Sequence, residues 1–277
     1  MDLFAMADAE VIRVAALPER LEGASRVGDF VQAMPGALLL RVPDVGVYLV
    51  EQGRSIRFAP DAQAEPDAVA VFLHGAARAA LLHQRGDLAL RTSIVQAPGA
   101  AHAIALCGIS GTGKSTLAAE MHRRGWRVLA DEMARVSLAN GRPIAWPGGR
   151  GVKLWRDACT AFGLDTDRLE PVRRGLQKFY YPVVAAGPPI ALGGVVELSA
   201  GEPALHPVES IAERMSLLTR HTCRSREIAP LGMLPRHVVL VRETASQIRC
   251  ARLGGARLYP VTELGDRIEE ASQWMPL

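Results

Sequence analysis

Eight consecutive residues carry the most specific chemistry in the chain. Residues 108–115, Gly-Ile-Ser-Gly-Thr-Gly-Lys-Ser, fit the pattern G-x-x-x-x-G-K-[ST] at every defined position. Glycines allow the backbone to turn successive N–H groups toward phosphate oxygens, the lysine reaches the β- and γ-phosphates, and the serine hydroxyl binds Mg²⁺. The sequence therefore predicts a site for ATP with Mg²⁺. Its predicted nucleotide-binding residues are Gly108, Ser110, Gly111, Thr112, Gly113, Lys114, Ser115 and Thr116.

Two carboxylates follow this loop. Asp131 lies seventeen residues beyond Lys114 (131 − 114 = 17), at the carboxyl end of a predicted strand, and Glu132 is next to it. Open α/β sheets bind ligands at such strand ends. A carboxylate there can hold Mg²⁺ or accept the proton of an attacking hydroxyl. We predict Ser115, Asp131 and Glu132 as metal-binding residues and Asp131 as a catalytic base; a solvated strand-end or helix-capping acid is the alternative for Asp131.

The elements around the loop suit this role. Residues 103–107 form a short apolar run, typical of a buried strand, that leads directly into the loop. A helix is predicted to begin near Lys114 and to end at Gly125, and residues 126–130 are predicted to form the next strand. This order of strand, loop, helix and strand is the context that a phosphate-binding loop requires.

The remaining pattern predicts an α/β fold in two parts. Residues 1–65 are predicted to form a small β-rich module, and residues 66–277 a P-loop domain. The other predicted elements are strands or hairpins at 37–42, 45–50, 55–58, 88–96, 136–146, 190–198, 238–241 and 247–253, and helices at 66–83, 153–162, 208–220 and 262–274.

The composition argues against several other functions. The net charge of +3 is too small to imply nucleic-acid binding. Residues 141–178 contain eight Lys or Arg against four Asp or Glu, which fits either a solvated surface or an anion-binding face beside the nucleotide. The four cysteines form no CxxC pair, so neither a structural zinc site nor a thioredoxin-type centre is expected. With no secretion signal and no apolar run of about 18 residues, we expect no membrane association and a cytoplasmic location.

The seven histidines are dispersed and match no metal-binding or hydrolase pattern. His221 is the one that merits attention, because Arg220 and His221 end a predicted amphipathic helix. A basic pair at that position either belongs to a functional site or simply interacts with the helix dipole.

Several segments together resemble the core of the HPr serine kinase/phosphorylase family. They are more similar still to the shorter HPr kinase-like proteins of lasso-peptide and other bacterial peptide-tailoring clusters. The resemblance covers roughly residues 70 to 225, and the glycine loop is its specific motif. The segments that carry it are 88–95, 107–116, 124–132, 151–155 and 217–222.

The resemblance implies a fold similar to that of phosphoenolpyruvate carboxykinase and ATP-dependent phosphorylation of a serine on a protein or peptide. In it, Lys114 and Ser115 take the phosphate and Mg²⁺ roles, and Asp131 matches the catalytic aspartate of the family. The chain departs from the family at two positions: Arg91 replaces the usual histidine and Glu132 the usual second aspartate. Arginine is no base near neutral pH, but its planar fork can neutralise phosphate charge, so Arg91 is a further candidate for a catalytic residue.

Three functions are compatible with these observations. The leading prediction is an Mg-ATP-dependent serine kinase acting on a small protein or a ribosomally made precursor peptide of the lasso type. The alternatives are a small-molecule P-loop kinase and a nucleotide-binding pseudokinase or accessory protein that binds a peptide, the latter because of Arg91 and Glu132. The oligomeric state is open, with a homo-oligomer among the options.

Overall fold

The computed structural model of the protein describes residues 9–149, 151–183 and 187–275. Arg150, one of the basic residues counted above, and residues 1–8 of the predicted N-terminal module lie outside the described residues. The fold is α/β, and it divides into two compact units. The first unit contains residues 1–89 and 223–239, and the second contains residues 90–222 and 240–277. Among the described residues, no helix is long and apolar enough to span a membrane.

The first unit is built on a sheet of six strands in the order β1-β6-β5-β4-β3-β2. Its three predicted strands are confirmed as β4, β5 and β6, which pair as an antiparallel meander, whereas β1 joins β6 in parallel. The strands are β1 Glu10–Arg13, β2 Ser25–Arg26, β3 Val31–Met34, β4 Ala37–Val42, β5 Gly46–Glu51 and β6 Ser55–Pro60.

A helical segment packs on this sheet. It comprises α1 (Pro66–Phe72), a π-helical turn (Leu73–Ala77) and α2 (Arg78–Arg85), and it confirms the predicted helix over 66–83. Its buried residues, such as Leu73 and Leu81, share one core with strand residues such as Val50. Because this helix is needed to cover the sheet, the first compact unit does not end at the predicted boundary after residue 65.

Most strands belong to the second unit or border it. The central ones run in the order β10-β8-β9-β15-β12-β11, while β17 pairs with β15 and β16 with β17. In chain order the strands are β7 Leu88–Leu90, β8 Thr92–Gln96, β9 His102–Cys107, β10 Arg127–Ala130, β11 Ala134–Ala139, β12 Arg142–Trp146, β13 Lys153–Trp155, β14 Lys178–Tyr180, β15 Ile190–Leu198, β16 Leu205–Val208 and β17 Arg249–Leu253.

Helices cover one face of the second unit's sheet. Leu117 and Met121 of the first of these helices and Leu264 and Ile268 of the last share a core with strand residues such as Ile104. Apolar residues at helical spacing thus bury one face of each helix. The helices with residues in this core are α3 Lys114–Arg123, α4 Arg156–Ala161 and α7 Val261–Trp274, and the remaining two helices are α5 Ile211–Arg220 and α6 Leu234–Gln247.

Strand direction fixes where the site can form. β9 runs parallel to β15, and β15 runs parallel to β17. β8 is antiparallel to both β9 and β10, so β10 points the same way as β9. The carboxyl ends of β9, β10, β15 and β17 therefore lie at one edge of the sheet, which is where open α/β sheets bind ligands.

Several predicted elements need correction. Residues 238–241 lie inside α6 and form no strand. Their run of apolar residues suggested a strand, but Val238 and Val239 are about half exposed while Leu240 and Val241 are buried, which is a helical pattern. In the other elements the boundaries differ: the predicted strand 88–96 is broken at residue 91, the predicted helices 153–162 and 208–220 begin only at 156 and 211, and β13 and β16 precede them.

Candidate functional site

The loop predicted from the sequence lies between β9 and α3, as expected. Gly108 has φ of +150°, and a Cβ there would lie 2.7 Å from Thr112 Oγ1 and 3.2 Å from the Leu198 carbonyl oxygen. Only glycine fits so close an approach to a neighbouring strand. The Thr112 hydroxyl donates to the Ile109 carbonyl at 3.0 Å, which stabilises the loop from within.

Lys114 closes the loop on itself. Its Nζ donates to the carbonyl oxygens of Gly108 and Ile109, both at 2.8 Å. Burial lowers the pKa of the Lys114 amine, and the nearby positive charge of Arg91 lowers it further. These contacts hold the ammonium group against the carbonyl oxygens at the start of the loop, where a bound anion would gain a charged partner.

Asp131 follows β10 and receives three hydrogen bonds. Its Oδ1 accepts from Ser93 Oγ at 2.6 Å and from Ser115 Oγ at 2.9 Å, and its Oδ2 accepts from the Lys153 backbone N–H at 3.1 Å. The Ser115 contact joins the predicted carboxylate directly to the last residue of the phosphate-loop pattern. Sequence positions that are 16 residues apart thus meet in one cluster.

The charge state of Asp131 reflects this environment. The residue is 7% exposed, and burial raises the pKa of its carboxyl despite the hydrogen bonds from Ser93, Lys153 and Ser115. All three donors are electrically neutral, so none compensates the charge of the ionised form. A carboxylate held in this way is a better proton acceptor than an ordinary aspartate.

Glu132 lies beside Asp131 but has different partners. Its carboxylate accepts from Lys153 Nζ at 2.6 Å and from Lys178 Nζ at 2.9 Å. Burial acts to raise the pKa of this carboxyl, yet the two ammonium groups outweigh burial and the pKa falls below its ordinary value. Glu132 also has φ of +69°, which is uncommon for a residue with a side chain. The two lysines come from the stretch that the sequence analysis marked as basic.

A second carboxylate cluster lies on β15. Glu197 is 7% exposed and accepts from Arg220 and His221 at 2.8 Å each, with Arg252 at 3.4 Å. The hydrogen bond from His221 is the main cause that lowers the pKa of Glu197. The His221 carbonyl in turn accepts from the Arg91 backbone N–H at 2.7 Å. His221 is therefore a buried partner of a carboxylate and not a free imidazole.

The oxygen atoms of Ser115 and Asp131 are the part of the site suited to a metal. Both are hard ligands of the kind Mg²⁺ prefers, and they already lie within 2.9 Å of each other. Among the described residues, no group of three or more His, Cys, Asp or Glu side chains is arranged to hold a metal ion. The donor set fits an ion that takes its other ligands from phosphate and water, as Mg²⁺ commonly does.

Arg91 lies at the same edge, immediately before β8, and its side chain is exposed. The structure thus brings Arg91, Lys114, Ser115 and Asp131 into one region, while Ser110 and Gly111 form the exposed part of the loop. Sequence reasoning missed other residues of this region. Those residues are Ser93, Lys178, Glu197 and Arg257.

Two of the missed residues could have been recognised from the sequence. Ser93 is a polar residue inside the buried strand β8, and Glu197 is the one charged residue within the otherwise apolar β15. A polar side chain in a buried strand needs a partner, so both positions marked a site before any partner was known. Lys178 and Arg257 are ordinary surface-type residues, and nothing in their sequence context distinguished them.

Comparisons with protein-family models and with curated proteins give no match. Among solved structures, the chain is similar to one described as the Hpr(Ser) kinase/phosphatase from Coxiella burnetii, with a TM-score of 0.34 and 12% sequence identity. The alignment covers 67% of this chain and 93% of that chain. A TM-score this low supports no conclusion about function, which must come from the contacts of the site itself.

Proposed function

We propose that the protein is an Mg-ATP-dependent kinase that phosphorylates a serine on a small protein or a ribosomally synthesised precursor peptide. One observation carries the proposal: Asp131, a buried carboxylate with a raised pKa, contacts Ser115 of the phosphate-loop pattern at 2.9 Å. The same edge of the sheet thus supplies phosphate-binding groups and a base. Two parts of the proposal come from the sequence resemblance. They are the acceptor class, including the lasso-peptide type, and the HPr kinase-like form of the P-loop core.

In this proposal the loop positions the triphosphate. The backbone N–H groups of residues 108–115 face its oxygens, and Lys114 exchanges its two carbonyl contacts for phosphate. The helix α3 begins at Lys114, so its N-terminus also favours the anion. Ser115 and Asp131 would hold Mg²⁺, which neutralises phosphate charge when bound.

Asp131 is the base that accepts the proton of the acceptor hydroxyl. The serine oxygen forms a bond to the γ-phosphorus while the bond between that phosphorus and the ADP oxygen breaks, and the hydroxyl proton moves to the carboxylate. Ser93 and the Lys153 N–H hold the carboxylate in place from two sides. Arg91 adds positive charge at this edge without acting as a base.

Two other functions have one supporting observation each. The convergence of Lys153 and Lys178 on Glu132 provides a basic surface for a small anionic metabolite, as a small-molecule kinase would need. The same ion pairs occupy Glu132, a predicted metal-binding residue, which favours a nucleotide-binding accessory protein or pseudokinase that recognises a peptide without transferring phosphate. Serine phosphorylation is preferred to both: the accessory function gives the raised pKa of Asp131 no role, and the small-molecule kinase lacks the sequence resemblance that indicates a serine acceptor.

Incubation with γ-labelled ATP distinguishes the three functions. Co-encoded precursor peptides and small proteins are offered as acceptors in one arm, and a pool of hydroxylated metabolites in the other. Label on a serine of a peptide or protein supports the proposal, and label only in a metabolite indicates a small-molecule kinase. ATP binding with no labelled product in either arm would overturn the kinase proposal in favour of the accessory function.

A further inference from the structure

Arg257 lies directly on the phosphate loop although it is 146 residues away from it in sequence. It follows β17, and its Nε donates a hydrogen bond to the carbonyl oxygen of Gly111. Its guanidinium fills the space that a Cβ would need at Gly111, whose φ is +81°. Gly111 is thus constrained both by its backbone conformation and by the arginine above it.

The fold holds Arg257 in this position through its backbone. The N–H of Ala256 donates to the Ser199 carbonyl, just past the end of β15, at 2.9 Å. The N–H groups of Leu258 and Tyr259 both return to the Gly255 carbonyl, at 3.1 and 3.2 Å. The turn is therefore tied to the same sheet edge that carries the loop.

The backbone of Arg257 is itself unusual. Its φ is +67°, a left-handed conformation that costs free energy for a residue with a Cβ. A glycine would adopt this conformation without that cost. The strained conformation directs the side chain at the loop, and strain of this kind concentrates at functional sites.

Within the described part of the chain, no carboxylate neutralises the positive charge of Arg257. No carboxylate there lies within 4.0 Å of its guanidinium, and the residue is exposed. By contrast, Arg124 pairs with Glu120, and Arg220 pairs with Glu197. A carbonyl oxygen is a weaker partner than an anion for a guanidinium, so Arg257 gains by exchanging Gly111 for a phosphate oxygen.

We propose that Arg257 is a second phosphate-binding cation, which acts with Lys114 on the phosphate chain of the nucleotide. This inference rests on the proposed function, because it assigns a ligand to the same loop. The planar fork of arginine suits two phosphate oxygens at once. An arginine supplied by the same chain stabilises the charge of phosphoryl transfer in other nucleotide-binding proteins.

Calorimetric titration with ATP and with inorganic tripolyphosphate tests the assignment. Arg257→Ala is expected to weaken binding of both by roughly 10- to 100-fold, the range for charged hydrogen bonds. Arg257→Lys is expected to lose less, since it keeps the charge but not the fork. Arg242→Ala is the matched control, because Arg242 is 62% exposed on α6 and pairs with its neighbour Glu243. That control is expected to bind both ligands like the wild type.

Two results would overturn the inference. One is ATP affinity of Arg257→Ala within twofold of the wild type, with the thermal unfolding midpoint showing a folded variant. The other is a loss confined to ATP and absent for tripolyphosphate, since it would place Arg257 on the base or ribose. In both results the wild type still binds ATP, so the proposed function stands. A wild type that binds neither ligand would instead overturn the proposed function and this inference together.

Discussion

Asp131 and Glu197 are both buried carboxylates at the same sheet edge, yet their surroundings are opposite. Asp131 accepts hydrogen bonds from two hydroxyls and a backbone N–H, and its pKa is raised. Glu197 contacts Arg220, His221 and Arg252, and its pKa is lowered. Each residue is 7% exposed, so solvent exposure alone does not separate them. The two carboxylates differ in the charge of their partners.

The difference separates a reactive carboxylate from a structural one. Neutral donors fix the orientation of Asp131 but leave its negative charge uncompensated, so it gains from a proton or a cation. The charge of Glu197 is already balanced by cations that hold α5 and β17 to β15. The site thus keeps a carboxylate ready for chemistry beside one that stabilises the edge on which the chemistry occurs.

The largest expected effect is on phosphoryl transfer. Asp131→Asn is expected to slow transfer by about 10²- to 10⁴-fold, the usual contribution of a general base. Glu197→Gln is expected to retain transfer within a few-fold, because Glu197 contacts no group assigned to the reaction. Single-turnover transfer from labelled ATP measures both variants. Similar losses in the two would remove the distinction between the carboxylates.

For the stability of the fold we expect the opposite order, with Glu197→Gln the more damaging substitution. Glu197→Gln is expected to lower the free energy of unfolding near neutral pH by about 1–3 kcal/mol, because the buried His221 and two arginines lose their anion. Asp131→Asn is expected to cost less than about 1 kcal/mol, since the lost hydrogen bond to the Lys153 N–H is offset by removing a desolvated charge. Urea unfolding measures both. A larger loss for Asp131→Asn would contradict the assignment.

The pH dependence gives a smaller but sharper test. In the metal-free protein, the raised pKa of Asp131 means that its carboxyl becomes protonated at a higher pH than an aspartate at its ordinary value of 3.8. Glu197 has a lowered pKa, so its contribution to stability is present above its ordinary value of 4.5 and is lost as the pH falls through the lowered pKa. NMR titration of the metal-free protein, with Asp131→Asn to assign the signal, measures the pKa of Asp131. Urea unfolding of wild type and Glu197→Gln, whose stabilities should converge in acid, measures the contribution of Glu197. A titration midpoint of Asp131 at or below 3.8 would refute its raised pKa.

The sequence was sufficient where chemistry and conformation are local. The strand predicted at 103–107 and the helix from Lys114 follow from consecutive apolar residues and helical spacing, and the structure confirms both, with the strand beginning one residue earlier at His102. The turn at Asn140 and Gly141 was also predictable, because both residues adopt the positive φ angles that such a pair favours. The nucleotide-binding role of the loop remains a prediction.

The sequence was insufficient where distant segments meet. The contacts of Ser93 with Asp131, of Lys178 with Glu132 and of Arg257 with Gly111 span 38, 46 and 146 residues, and no local pattern encodes them. The wrong strand at 238–241 has a related cause: a short apolar run does not show whether its side chains will be buried with a period of two or of 3.6. Tertiary packing decided that question.

Calorimetric titration of Mg-ATP into wild type, Lys114→Ala and Asp131→Asn tests the central claim most directly. We expect Lys114→Ala to bind roughly 10- to 100-fold more weakly, because a charged partner of the phosphates is gone. We expect Asp131→Asn to bind Mg-ATP much better than Lys114→Ala does, because no phosphate contact is lost and the asparagine side-chain oxygen can still bind Mg²⁺ with Ser115. Equal affinity of wild type and Lys114→Ala would contradict a triphosphate site on this loop.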